Sequence, residues 1–270
     1  MFKNLTNKLS ARMQRAPVVS VLRLHGAIGG GGLRSGLNDA ALAPQIEQAF
    51  APKRLKAVAL SINSPGGSPT QSALIAARIR RLAAEKEVKV YAFCEDVAAS
   101  GGYWLATAGD EVWADDNSII GSIGVIYAGF GFQALLEKQG IERRVHTAGE
   151  SKSMLDPFKP ENPDDVARIK TLQEQIHQNF IAQVKDRRGD KLAEQNLFTG
   201  DVWVGQGAVD VGLIDGVGHL VPKMKEVFGD KVRLNVVSQK RSLFQRLGAP
   251  GVQDVAFAVE ERALWSRFGL

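Results

Sequence analysis

Cysteine is almost absent from this 270-residue chain, which carries Cys94 alone. A lone cysteine excludes an intramolecular disulfide and fits a reducing compartment. Cys94 closes the apolar run 88–93, so it is expected to be a small buried hydrophobe rather than a reactive thiol. Histidine is scarce too, at 25, 146, 177 and 219, and neither histidine nor cysteine recurs at metal-ligand spacing. The acidic pairs Glu95-Asp96, Asp110-Glu111 and Asp115-Asp116 are expected in loops, so no metal and no cofactor is predicted. The glycine run 29–32 lacks the Gly-Lys-Ser/Thr that a phosphate loop requires, which leaves a loop beside a cleft. Residues 1–15 hold no apolar core of signal-peptide length, which points to the cytosol. The uncharged stretch 118–136 approaches the length of a membrane span, but it contains four glycines and is flanked by Asp115-Asp116 and Glu137.

What is present describes a globular chain, 44% hydrophobic and 23% charged, long enough to bury a sizeable core. Its net charge of +5 raises nucleic acid or an anionic membrane as partners. The basic clusters Arg78-Ile79-Arg80-Arg81, Arg143-Arg144 and Lys185-Asp186-Arg187-Arg188 are scattered, however, and fit solvated helix faces, so no nucleic acid is expected. Near the N-terminus, Phe2, Leu5, Leu9 and Met13 recur at helical spacing beside Lys3, Lys8, Arg12 and Arg15. That pattern suits a helix lying on a membrane surface, and equally one packed on a sister subunit.

Strand-like runs at 18–24, 57–62, 88–93, 111–114 and 143–147 alternate with helical patterns, which predicts α/β layers. In Ser68-Pro69-Thr70-Gln71 the serine caps a helix, proline takes its first position and glutamine is expected to return to the cap. Val166, Ile169, Leu172, Ile176, Phe180 and Val184 step by three and four residues, predicting one amphipathic helix over 164–188. A further helix is expected over 252–265. The division read from these patterns is an N-terminal arm 1–16, a single domain 17–240 and a C-terminal arm 241–270.

Chemistry concentrates in four segments. After strand 57–62, Ser64-Pro65-Gly66-Gly67 turns into a helix, leaving backbone N–H groups free to face a pocket as an oxyanion hole would require. After run 88–93, Ala98-Ala99-Ser100-Gly101-Gly102 sets a serine among small residues at a strand-to-helix turn, the place for a nucleophile. No histidine stands at a suggestive spacing from Ser100, but a neutral lysine can accept its proton. Lowering a lysine from about 10.4 to about 7 takes roughly 4.6 kcal/mol, which desolvation can supply. Lys152, in Gly149-Glu150-Ser151-Lys152-Ser153, precedes Met154, Leu155, Pro157 and Phe158, an apolar wall of the needed kind. The fourth segment, Gly121-Ser122-Ile123-Gly124-Val125, offers a second hydroxyl.

These segments, with His25-Gly26-Ala27-Ile28, Lys152 through Phe158, and the stretch from Phe198-Thr199-Gly200 to Gly212-Leu213-Ile214-Asp215, resemble the signal peptide peptidase A family of serine proteases over 18–218. The resemblance implies the crotonase-like α/β fold shared with the Clp proteolytic subunit, and it makes stretch 118–136 a buried strand, a turn and a helix start. It implies Ser100 as nucleophile, Lys152 as general base, Ser122 as the hydroxyl that holds the lysine amine, and Gly67 and Gly101 as oxyanion donors. Peptide substrates and a homo-oligomer larger than a dimer follow from it. The Clp subunit differs in having histidine where this chain has Val125. Two rivals remain: an acyl-CoA hydratase or isomerase on this fold, which would need acidic groups in the pocket, and a non-catalytic scaffold.

Overall fold

The computed structural model describes residues 16–29, 36–149, 151–237, 259 and 261–270. Strands β1 (Val18–His25), β2 (Leu55–Ser64) and β3 (Lys89–Ala99) lie parallel at the centre of the sheet. They read as near-continuous apolar runs because both faces are covered. Leu22, Leu24, Leu60, Ile62 and Val90 face helices α1 (Asp39–Phe50), α2 (Pro69–Lys86) and α3 (Gly101–Ala106). The remaining strands are β4 (Glu111–Ala114), β5 (Ile119–Gly121), β6 (Val202–Val204), β7 (Gly216–Val217) and β8 (Arg233–Val237); the other helices are α4 (Gln133–Lys138), α5 (Pro163–Arg188), α6 (Gln206–Asp210) and α7 (Leu220–Phe228). On the second face, Val19, Val21, Ala57, Ala59, Tyr91 and Phe93 pack with Met224 of α7. The strand order is β6-β5-β3-β2-β1-β8, with β4 and then β7 branching from β3.

That branch comes from an irregularity in β3. Ile62 pairs with Cys94, and pairing resumes with Ser64 opposite Ala98, so β3 advances four residues while β2 advances two. The extra residues turn the strand. Its first half pairs with β4 and its last three residues pair with β5. Glu95 and Asp96 occupy the kink, inside the strand and not in the loop expected for them. They are stapled to β2: Ser61 Oγ donates to Glu95 at 2.5 Å, Asn63 Nδ2 donates to Asp96 at 2.6 Å, and Asn63 Oδ1 accepts from Val97 N–H at 3.2 Å.

Other expectations need correction. Gln71 does not return to its cap, because the Ser68 N–H already donates to Ile28 O at 2.8 Å. Gln71 Oε1 accepts instead from Asp39 N–H at 2.9 Å, tying α2 to the start of α1. No strand forms at 143–147: the segment stays exposed outside the sheet, and the place beside β5 is taken by β6. The chain from 126 to 149, apart from half-buried Gln133 and Leu136, and from 157 to 164 is instead exposed, an arm standing off the body around the short α4. In stretch 118–136 only the strand and turn are buried. The last basic cluster is a solvated face only in part: Lys185 and Asp186 are exposed, but Arg187 is half-buried and Arg188 turns inward. Arg188 is 4% exposed, pairs with Asp215 at 2.8 Å and donates through Nε to Gly212 O at 2.9 Å.

The amphipathic segment 1–15 and most of the arm 241–270 lie outside the described residues; 261–266 are helical, and Glu261 Oε1 accepts from Ala27 N–H at 3.2 Å. No helix among the described residues is long and apolar enough to cross a membrane.

Candidate active site

The chain leaves β3 at Ala99, and Ser100 takes φ 53° and ψ −123° before α3 begins. A non-glycine residue reaches that region only under strain, and such strain clusters where a side chain must be aimed. Its N–H donates to Gly121 O at 2.8 Å, continuing the β3–β5 pairing by one step. Its hydroxyl has no hydrogen-bond partner among the described residues.

Beside it lies the Pro-Gly-Gly turn. Ile28, three residues beyond the end of β1, grips that turn, its N–H donating to Gly66 O and its carbonyl accepting from Ser68 N–H, both at 2.8 Å. The grip is tight enough to require glycine: Gly67 has φ 140°, and a Cβ there would fall 2.0 Å from Ile28 O. Gly101, the first residue of α3, approaches as closely. A Cβ on it would sit 3.4 Å from Gly67 N and 2.4 Å from Ser72 Oγ. Neither the Gly67 nor the Gly101 N–H has an acceptor among the described residues. Two unpaired donors therefore stand next to the Ser100 side chain.

Ser122 belongs to the same corner. Ala99 pairs with Gly121, so Ser100 and Ser122 are the next residues out of two adjacent parallel strands. Ser122 also has positive φ, 51°, is 6% exposed, and donates its N–H to Asp201 O at 2.7 Å.

Lys152 is not gathered in. It sits on an exposed turn of the arm, and its amine has no hydrogen bond or ion pair among the described residues. That turn is itself held. Leu155 N–H donates to Asp165 Oδ2 at 3.2 Å, Lys159 Nζ donates to Ser153 Oγ at 2.9 Å, and Arg168 reaches Ser151 Oγ. Arg143 pairs with Asp156, and with the Phe158 N–H it holds the Asp156 carboxyl below its usual value. The structure thus unites Ser100, Gly67, Gly101 and Ser122 and leaves Lys152 on the arm.

Sequence reasoning overlooked His177. Its Nε2 lies 3.2 Å from Ile123 O, one residue beyond Ser122. Its distance along the chain hides that contact, but its place on the predicted apolar face of α5, one turn before Phe180, was a usable signal. Phe180 stacks on Trp104 of α3 with ring centroids 4.8 Å apart. Tyr103 of α3 donates to Leu213 O at 2.7 Å.

The model of peptidase family S49 matches residues 82–227. The chain is 49% identical, over 93% of its length, to a Na(+)/H(+) antiporter NhaA of Brucella melitensis, of which it spans 37%. It is 33% identical to the chloroplastic serine protease SPPA of Arabidopsis thaliana, over 73% of this chain and 29% of that one. The chain spans about a third of these relatives, so their names describe longer proteins. Among solved structures, a lysine-to-alanine mutant of the 1510-N membrane-bound stomatin-specific protease, in complex with a substrate peptide, matches 92% of this chain and 99% of its own. Its TM-score is 0.51 at 13% identity, a likeness of fold.

Proposed function

We propose, for a chain that belongs to peptidase family S49, that it hydrolyses peptide bonds in signal-peptide remnants or other small unfolded peptides through Ser100 and Lys152. The observation that carries this is the strained Ser100 beside the two unpaired N–H groups of Gly67 and Gly101. Ser100 Oγ attacks the scissile carbonyl carbon and passes its proton to the Lys152 amine. The N–H groups of Gly67 and Gly101 take the charge that develops on the carbonyl oxygen. When the C–N bond breaks, the lysine ammonium returns the proton to the leaving amine, and an ester remains on Ser100. Water then attacks that ester, with Lys152 again accepting and delivering the proton. Ser122 holds the amine with a hydroxyl, which accepts an N–H without the charge that would lock the amine as ammonium. No step requires a cofactor.

The arm explains how Lys152 can serve. On it Phe130 is 81% exposed, Ile126 65% and Ile141 56%, a concentration of apolar surface that calls for a cover. Further copies of this chain supply that cover in an assembly larger than a dimer. Covering the arm also takes the lysine out of water, as a neutral amine requires.

The test is hydrolysis of an unstructured peptide, with fluorophosphonate labelling of the serine. Ser100→Ala should abolish both while the protein still folds and assembles. Lys152→Arg should be inactive, because a guanidinium stays charged at any working pH. Peptide cleavage at the wild-type rate by Ser100→Ala overturns the reading, and light scattering that reports a 29.2 kDa particle overturns the assembly.

A further inference from the structure

Helix α5 meets the Lys152 turn, the Ser122 turn and helix α3 in order along its length. Near its start, Asp165 and Arg168 hold the turn that bears Lys152. Near its end, Phe180 stacks on Trp104, Gln183 Nε2 donates to Thr107 Oγ1 at 3.1 Å, and Arg187 Nε donates to Thr107 O at 2.9 Å, all around the nucleophile's helix α3. Between the two ends, half-buried His177 meets the Ser122 turn.

Among the described residues three hydrogen bonds hold the backbone of that turn, two from backbone groups and one from a side chain. Gly121 O accepts from Ser100 N–H, Ser122 N–H donates to Asp201 O, and Ile123 O faces His177 Nε2. A carbonyl only accepts, so Nε2 must carry the proton. The first two bonds fix the turn to β3 and to the loop before β6. Only the third fixes it to the helix that also holds the lysine's turn.

We propose that His177 is a positioning residue: its Nε2–H bond to the Ile123 carbonyl sets the Ser122 hydroxyl in register with the helix that carries the Lys152 turn. The proposal rests on the assignment of Ser122 as the holder of the lysine amine. His177 does not touch the reacting atoms. It acts through the turn, and a misplacement of about 1 Å in such a group costs on the order of a hundredfold in rate.

The experiment compares His177→Ala, His177→Gln, Ser122→Ala and the His177→Ala/Ser122→Ala pair in peptide hydrolysis, with melting temperature measured on each. His177→Ala should lower kcat by roughly tenfold to a hundredfold with KM little changed. His177→Gln presents an amide N–H near the position of Nε2 and should recover most of that loss. The pair should lose no more than Ser122→Ala alone, since both changes act through one hydroxyl. Losses that multiply, a glutamine variant as impaired as the alanine one, or wild-type kcat in His177→Ala beside an impaired Ser122→Ala would overturn the role of His177 and leave that of Ser122 standing. Wild-type kcat in Ser122→Ala overturns both.

Discussion

One added methyl group at position 101 probes the oxyanion corner without removing any reacting atom. In Gly101→Ala the new Cβ would lie 2.4 Å from Ser72 Oγ. A comfortable carbon–oxygen contact is about 3.3 Å, so unless the Ser72 hydroxyl rotates off Ser68 O, α2 and α3 part by roughly 0.9 Å; Ile28 Cδ1, 3.1 Å from the same Cβ, must give as well. The parting falls between the Gly67 and Gly101 donors, because the same Cβ faces Gly67 N at 3.4 Å. Oxyanion donors displaced by that amount should cost about a hundredfold in kcat. Overpacking should cost about 1–3 kcal/mol, a fall in Tm of roughly 2–12 °C for a domain of this size. Ser72→Ala removes the obstructing oxygen. Alone it forfeits the bond from Ser72 Oγ to Ser68 O at 2.9 Å, worth about 1 kcal/mol, while the Ser72 N–H still satisfies that carbonyl at 3.1 Å. The double variant should therefore regain at least about tenfold in kcat over Gly101→Ala, a departure from additivity that steady-state peptide hydrolysis reads directly. Wild-type kcat in Gly101→Ala, or no recovery when Ser72 is also alanine, would refute the packing argument and the donor role built on it.

Two further outcomes follow from buried groups. Burial pushes the Cys94 thiol up to about 12, Arg188 opposing and Glu95 adding to the shift, and the residue is 4% exposed. Iodoacetamide at pH 8 should leave Cys94 untouched in the native protein and label it in urea; prompt native labelling would contradict the burial. For Asp215, burial raises the carboxyl, but bonds from Arg188, Lys191 and the Val112 N–H outweigh it and leave its pKa below the ordinary 3.8. A lowered folded value means stability that is present above pH about 4 and lost as pH falls through the folded value. Asp215→Asn should lower Tm at neutral pH and flatten the acid decline below pH about 4, and an acid limb as steep as wild type would show that Asp215 does not drive it.

The serine corner was legible because local chemistry builds it. Ser64-Pro65-Gly66-Gly67 and Ala99-Ser100-Gly101 each turn directly after an apolar strand, and the close approach to Ile28 and Ser72 is written in their glycines. The kink at Glu95-Asp96 was not legible, since two acidic residues read locally as a loop and only Ser61 and Asn63 of the neighbouring strand accommodate them in the sheet. Arg188 looked like one more surface cation because Asp215, its partner, is joined to it by tertiary packing alone. The strand expected at 143–147 has suitable residues, but a strand forms only where it meets a partner, and this segment lies exposed away from the sheet. His177 shows the same limit: helical periodicity can place a side chain on the inner face without naming the carbonyl it meets.

The arm leaves the body just after Ile123 and returns along α5, where His177 pins it back to the point of departure. In engineering terms this arm is a segment to exchange as a cassette. Lengthening a flexible loop twofold costs only about 0.6 kcal/mol in closure entropy, so the cassette can be rebuilt while the corner around Ser100 stays intact. Since the cassette carries both the exposed apolar residues and Lys152, exchanging it would alter the partner surface and the proposed base together, leaving the nucleophile and its donors as a constant chassis.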